Sequence, residues 1–348
     1  GDNIFNIFKE VNYRVIGNTI SEECIRVSGD VIDLNMLIEK WSEPLESIFP
    51  TRDKAFEGIS ISEKIVKSEE KIRRPIKGSI RIAKPKVLIP FFPGTNCEVD
   101  SLRAFEKAGA DVKTLMFRNV TSNAIEDSIK QFAKDIKASQ IVMIPGGFSG
   151  GDEPDGSAKF ITSVFRNPEI SDAIMDLIKN RDGLMLGICN GFQALIKLGL
   201  VPYGEIRDIH EEDPTLTYNR IGRHVSCLVR TKITSVKTPW FNNVDLGDIH
   251  TLPVSHGEGR FFISEKLLQE LEENGQIATR YVDFDGRSAY DIAFNPNGSV
   301  AAIEGIISPD GRILGKMAHS ERIGENLYKN VPGDMDQKIF ISGVQYYL

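Results

Sequence analysis

The sharpest chemistry-bearing run in this sequence is Gly187-Ile188-Cys189-Asn190-Gly191. It has the form Gly-x-nucleophile-x-Gly and lies between an apolar strand pattern and a helical one. Such a turn strains its central residue and lifts that side chain above the carboxyl end of a sheet, while the glycines let neighbouring chain come close. The sulfur would then sit at a helix N-terminus, where the dipole and free N–H groups favour thiolate. The other reading of Cys189 is a small buried hydrophobe, the usual fate of a lone cysteine. Cys97, in Pro93-Gly94-Thr95-Asn96-Cys97-Glu98, also lies between a strand and a helix. It lacks the second glycine, and Glu98 beside it opposes thiolate formation. Cys97 is therefore expected in the first turn of a helix near the site. Cys24 and Cys227 fall in strand patterns and are expected in the core.

A thiol nucleophile needs a base. The histidines are His210, His224, His250, His256 and His319. His319, in Met317-Ala318-His319-Ser320-Glu321-Arg322, follows a strand and has Glu321 two residues on. In extended chain, residues i and i+2 point the same way, so the carboxylate can orient the imidazole as the third member of a triad. The alternative is a surface histidine near a charged pair. Pro145-Gly146-Gly147-Phe148-Ser149 closes another strand and can present backbone N–H groups to an oxyanion, or it is a plain glycine turn. His256-Gly257-Glu258-Gly259-Arg260-Phe261 reads as a polar loop beside the site.

The elements that must position these residues alternate regularly. Strands are expected at Lys86–Phe92, Val112–Phe117, Ile141–Ile144 and Leu184–Ile188, with helices at 98–109, at Ile170–Ile178 and after Cys189. Thr121 or Ser122 caps a further helix whose apolar residues Ile125, Ile129, Phe132 and Ile136 share one face. Continuous apolar strands separated by helices imply a parallel sheet covered on both faces. Past Gly199 the pattern is strand and turn: Val225–Thr231, His250–Phe262, Ile277–Val282, Val300–Ser308 and Ile313–Ala318. In the first 50 residues, Tyr13–Ile20 and Glu23–Val27 read as strands. A helix opens at Leu34 with Asp33 as its cap and Leu34, Leu37, Ile38 and Trp41 on one face. Residues 51–83 are rich in Lys, Arg and Glu and read as a solvated linker.

The 348 residues allow roughly two domains. Lys plus Arg is 42 and Asp plus Glu is 49, a net charge of −7. That balance argues against a protein that holds nucleic acid by charge. No apolar run approaches the ~20 residues of a membrane helix. Four cysteines without metal spacing fit a reduced, cytoplasmic setting. Metal ligation is not expected. The chain opens on Gly1, not Met, and reads as a piece of something longer.

In this order, the motifs resemble the class I glutamine amidotransferase family over residues 84–348. The match rests on Phe92-Pro93-Gly94-Thr95-Asn96-Cys97, Pro145–Ser149, Gly187–Gln193, Asn219-Arg220-Ile221-Gly222-Arg223, His256–Phe261, Asn295-Pro296-Asn297-Gly298-Ser299 and His319–Arg322. It is nearest to the amidotransferases that serve purine biosynthesis. Residues 1–50 resemble the C-terminal tail of the matching synthetase, an aminoimidazole ribonucleotide synthetase-like domain. The resemblance implies a flavodoxin-like α/β three-layer sandwich with a central, mostly parallel sheet. It makes Cys189 the nucleophile, with His319 and Glu321 completing the triad. It places the oxyanion hole at the N–H groups of Gly147 and Asn190, and Gln193 in the glutamine pocket. Asn219, Arg223, His256 and Glu258 become possible site-lining residues. The family usually flanks its triad histidine with prolines; here Ala318 and Ser320 stand there.

The resemblance also implies the partners. L-glutamine is the substrate, and the ammonia passes to a synthetase region of the same enzyme, where ATP and Mg2+ are used. No cofactor is expected in this chain. Two rivals remain at this stage: another cysteine hydrolase on a similar sheet, and a non-catalytic docking module. The hydrolase usually places its histidine soon after the nucleophile, and here the nearest one downstream is His210.

Overall fold

The computed structural model describes residues 12–46, 75–148 and 158–348. Its two compact units are Gly1–Thr51 and Arg52–Leu348. In the first unit, β1 (Cys24–Val27) and β2 (Asp30–Asp33) form an antiparallel hairpin, followed by α1 (Leu34–Glu46). Asp33 caps α1 as expected, its carboxylate accepting the Met36 N–H at 2.9 Å. One expectation fails here: Tyr13–Ile20 adopts no regular secondary structure. Leu34, Leu37, Ile38 and Trp41 share one face of α1 as expected, with Leu34 and Leu37 partly covered and Trp41 86% exposed.

The second unit contains β3 (Lys86–Phe91), α2 (Glu98–Lys107), β4 (Asp111–Met116), α3 (Ser122–Ala138) and β5 (Ile141–Ile144). Then come α4 (Lys159–Phe165), α5 (Pro168–Lys179), β6 (Leu184–Ile188) and α6 (Asn190–Leu198). The later elements are β7 (Thr215–Tyr218), β8 (Val225–Ile233), β9 (Ile249–His256), β10 (Glu258–Phe262), α7 (Glu265–Asn274), β11 (Ile277–Tyr281), β12 (Ile303–Ile307), β13 (Ile313–Lys316) and α8 (Ile339–Gln345). The main sheet has nine strands in the order β4-β3-β5-β6-β13-β12-β11-β8-β9. The first five are mutually parallel, and the pairings from β13 onward are antiparallel. Only β12 and β8 run against the others, so the sheet is mostly parallel, as expected.

Local chemistry explains the elements. β5 and β6 are buried along their whole length, which suits strands covered on both faces. Thr121, not Ser122, caps α3 by accepting the Ala124 N–H. Asn167 caps α5, with Pro168 at its first turn. The helices form two packing groups, α2 with α8 and α3 to α6 together. Right-handed crossovers that reverse direction at β3 put these groups on opposite faces.

Three differences from the sequence reading matter for the site. His250–Phe262 is not one strand. It breaks at Gly257, so that β9 joins the main sheet while β10 pairs with β7 in a separate ribbon. Helix α7 lies where only strands were expected, capped by Ser264 and ended by Gly275 at φ 65°. The tail of the expected linker is not free chain: the N–H groups of Gly78 and Ile82 donate to the carbonyls of Tyr346 and Tyr347, each at 2.8 Å. Cys227 also departs from expectation, being exposed, and Cys24 is only partly covered.

Candidate active site

β3, β5, β6 and β13 are adjacent and parallel, so their carboxyl ends open on one crevice, the usual ligand position in an open α/β sheet. Those ends carry Phe92–Cys97, Pro145–Phe148, Cys189 and Met317–Arg322. The far half of the sheet curls back over them. The His319 N–H donates to Pro253 O on β9 at 2.8 Å, and the Cys189 thiol faces Ser255 O, also on β9, at 3.7 Å.

Cys189 is the N-cap of α6, with φ 53° and ψ −105°. A non-glycine residue there costs about 1–3 kcal/mol and persists only where its surroundings over-determine it. They do so here. Its N–H donates to Lys316 O at 2.8 Å, and its carbonyl accepts from Gln193 N at 3.0 Å. Gly191 is dictated by contact: a Cβ there would lie 2.0 Å from Ile144 O. The elbow reading is therefore correct in geometry. The thiolate expectation is not. Burial, then Cys97 and Glu321, push the Cys189 thiol up to about 12, against the pull of Arg322 and the Asn190 backbone N–H. Removal of the sulfur from water outweighs the dipole of this short helix.

His319 and Glu321 meet as expected. Nδ1 of His319 lies 2.6 Å from Glu321 Oε1, and both side chains are buried. Burial pushes the Glu321 carboxyl up, yet the His319 ring and their hydrogen bond hold it below its ordinary value. With Nδ1 engaged, Nε2 is the ring nitrogen left for proton transfer, and it has no partner. Gly146 packs against the His319 ring and both cysteines: a Cβ on it would lie 2.7 Å from His319 Cε1, 3.1 Å from Cys97 Sγ and 3.5 Å from Cys189 Cβ. A surface histidine is excluded.

Cys97 is the N-cap residue of α2, one position before the first turn expected for it, and it borders the site. Its Sγ lies 3.8 Å from His319 Nδ1 and accepts from Arg322 Nη2 at 3.0 Å. Burial first, then the Glu321 charge, push its thiol up to about 12 against Arg322. Burial, and not Glu98, sets this value. Ligand atoms of Cys97, His319 and Glu321 fall within 4.8 Å of one another. Those atoms already face Arg322 or each other, so the arrangement suits ion pairing and proton transfer. Arg322 is the functional neighbour that the sequence reading gave no role.

Gly147 has φ 147°, and a Cβ on it would lie 2.6 Å from Thr95 Cα, so only glycine fits. Thr95 and Gly147 form a bridge, and the Phe148 N–H donates to Gly94 O at 2.8 Å. The two loops thus brace each other beside Cys189. Ser149 lies outside the described residues.

Of the remaining candidates, Gln193, Asn219, His256 and Glu258 make a buried polar scaffold, while Arg223 is exposed and meets it through its backbone carbonyl. Gln193 accepts from Asn190 Nδ2 at 2.9 Å and donates to Glu258 O at 2.6 Å. Asn219 donates to the carbonyls of His256 and Arg223 and faces His256 Nδ1 at 3.1 Å. Burial, then His319 and His224, push the His256 imidazole down to about 3. Asn297 donates to Gly259 O and Tyr281 Oη, and Ser299 Oγ accepts from the Phe261 N–H. The Asn295–Ser299 turn therefore clamps β10.

A strained cysteine at a strand–helix elbow, backed by a buried His–Glu pair at the carboxyl ends of parallel strands, is a thiol amidohydrolase arrangement. A family model described as the CobB/CobQ-like glutamine amidotransferase domain matches residues 84–347, and the chain belongs to that family. Among its relatives is the phosphoribosylformylglycinamidine synthase subunit PurQ of Methanococcus maripaludis strain C5, 35% identical over 239 residues, or 68% of this chain and 83% of the relative. The PurQ subunit of Aquifex aeolicus is 30% identical over 252 residues, covering 72% and 96%. The structure of PurLQS from Thermotoga maritima matches with a TM-score of 0.54 at 24% identity, over 76% of this chain and 99% of that one, a likeness of fold. The chain's amidotransferase region is PurQ-like. Among the described residues, no helix is long and apolar enough to cross a membrane.

Proposed function

We propose that this chain hydrolyses L-glutamine to glutamate and ammonia through a thioester on Cys189, as the glutaminase part of a phosphoribosylformylglycinamidine synthase. The observation that carries this reading is the strained Cys189 packed, with a His319 ring fixed by Glu321, against the same Gly146. His319 Nε2 takes the thiol proton, and the sulfur attacks the side-chain amide carbon. The N–H groups of Gly147 and Asn190 stabilise the oxyanion. His319 returns the proton to the departing nitrogen as ammonia leaves, and the C–N bond gives way to the thioester. Water, deprotonated by His319, then releases glutamate and frees the thiol. Gln193 and Glu258 form a wall of the glutamine pocket. Asn219, Arg223 and His256 hold that wall in shape.

The ammonia would pass to a synthetase region, of which residues 1–50 are the tail in this reading. Conversion of formylglycinamide ribonucleotide to its amidine, with ATP and Mg2+, belongs to that region. The setting proposed is the cytoplasm. A docking module has no use for a histidine–carboxylate pair buried beside a strained cysteine, which disfavours that rival. The test is glutamate release by the purified chain and by Cys189→Ala. Loss of release with an unchanged thermal midpoint is expected. Release by Cys189→Ala at the parent rate would refute the assignment.

A further inference from the structure

Lys316, the last residue of β13, is fully buried, and so is Glu304 on the neighbouring β12. The Lys316 ammonium lies 3.3 Å from Glu304 Oε1. Its other contacts are the Ala318 carbonyl at 2.7 Å and Ser320 Oγ at 3.1 Å. Glu304 Oε1 accepts the Ala318 N–H at 2.6 Å, and its second oxygen is fixed by Thr279 Oγ1. Ser320 Oγ donates in turn to Gln337 Oε1 at 2.8 Å, and Gln337 donates to Thr231. Three contacts of this ion pair fall on the residues immediately before and after His319: the Ala318 carbonyl, the Ala318 N–H and the Ser320 hydroxyl. The chain on both sides of the imidazole is therefore held by one buried ion pair.

Stability alone does not account for this arrangement. Replacing a buried ion pair by apolar residues of similar size is often neutral or stabilising, because desolvation offsets the attraction. Directional contacts supply what apolar packing lacks, which is a defined position for the backbone they hold. Ala318 and Ser320 carry no ring to restrict their dihedrals.

We propose that Lys316 and Glu304 are positioning residues that clasp the Ala318 backbone before His319 and the Ser320 hydroxyl after it, and so hold its ring on Glu321 and aim Nε2 at Cys189. The proposal rests on the glutaminase reading for its effect on turnover, and on geometry for its effect on the ring.

The test compares the parent chain with Lys316→Met/Glu304→Gln, which removes both charges at similar volume and keeps an acceptor for the Ala318 N–H. Ser320→Ala, which deletes one contact of the clasp, is the second variant. Two readouts are taken. The first is the downfield Nδ1 proton resonance of His319 bonded to Glu321, assigned by its loss in His319→Ala. The second is steady-state glutamine hydrolysis. In the double variant the resonance should broaden or vanish, and kcat should fall about 10- to 100-fold with KM unchanged, the scale of a catalytic group misplaced by about an ångström. Ser320→Ala should show the same pattern in smaller measure, and adding the double change to His319→Ala should cost little more. An intact resonance in both variants overturns the clasp, whether or not the chain is a glutaminase. So does a loss that adds in full to that of His319→Ala, since that follows a general loss of folded protein. A parent chain that shows the resonance without releasing glutamate would refute the functional reading alone.

Discussion

Removing His319 should disable the first chemical step as well as turnover, because Cys189 is a thiol at rest. Its sulfur is pushed from an ordinary 9.0 up to about 12. That displacement corresponds to about 4 kcal/mol against the thiolate. At pH 7.5 the unaided thiolate is on the order of one molecule in 30,000. Nε2 of His319 is unpartnered and Nδ1 is held by Glu321; in the proposed mechanism the ring takes that proton as the sulfur attacks. The assay is the rate of covalent labelling of Cys189 by an electrophilic glutamine analogue, read by intact mass from pH 6 to pH 9. The parent chain should label at a rate that levels off near neutral pH. His319→Ala should label about 10²- to 10³-fold more slowly at pH 7.5, the scale of a lost general base. Its rate should rise about tenfold per pH unit, as expected for a free thiol far below its pKa. A His319→Ala protein that labels at the parent rate with a neutral plateau would show a resting thiolate, and the desolvation argument would fall.

Gly146→Ala sets a methyl 2.7 Å from His319 Cε1, so the ring must move; hydrolysis should drop by about 100-fold while the thermal midpoint changes little. Cys97→Ala should cost less than about tenfold in kcat/KM, under about 1.4 kcal/mol, because Cys97 contacts the His319 ring without holding it; a loss as deep as that of Cys189→Ala would reassign the nucleophile. Burial keeps His256 neutral in the folded chain down to about pH 3, whereas an unfolded imidazole titrates near 6.5. Unfolding takes up a proton in that window, so stability should fall as pH falls below about 6.5, by at most about 1.4 kcal/mol per unit from this group. Denaturant melts of the parent and of His256→Gln should separate there, with the variant's stability less dependent on pH. Parallel curves would show that His256 does not contribute.

The parts legible in the amino-acid chain are those whose causes are local. Continuous apolar runs at 86–91, 141–144 and 184–188, with capped helices between them, define covered parallel strands, because burial on both faces leaves no alternation to follow. Gly187-x-Cys189-x-Gly191 marks the elbow, because few other sequences tolerate a backbone that lies 2.0 Å from a Cβ position at residue 191. Glu321, two residues after His319, reaches the ring it orients. The polar run at His256–Phe261 was legible as an interruption, but not that Glu258–Phe262 starts a second strand, since that depends on β7 and on Asn219 taking the carbonyls of His256 and Gly257. Nor was the state of the two thiols. A helix N-terminus favours thiolate, but the burial that overrides it depends on β9, sixty residues on, folding over the carboxyl ends. Lys316 and Glu304 are a charge on each of two apolar strands until the β12–β13 hairpin places them together beneath His319. Pairings of this kind are set by register and closure of the sheet, which no local pattern encodes, and in this protein they decide how the residues beside His319 are held.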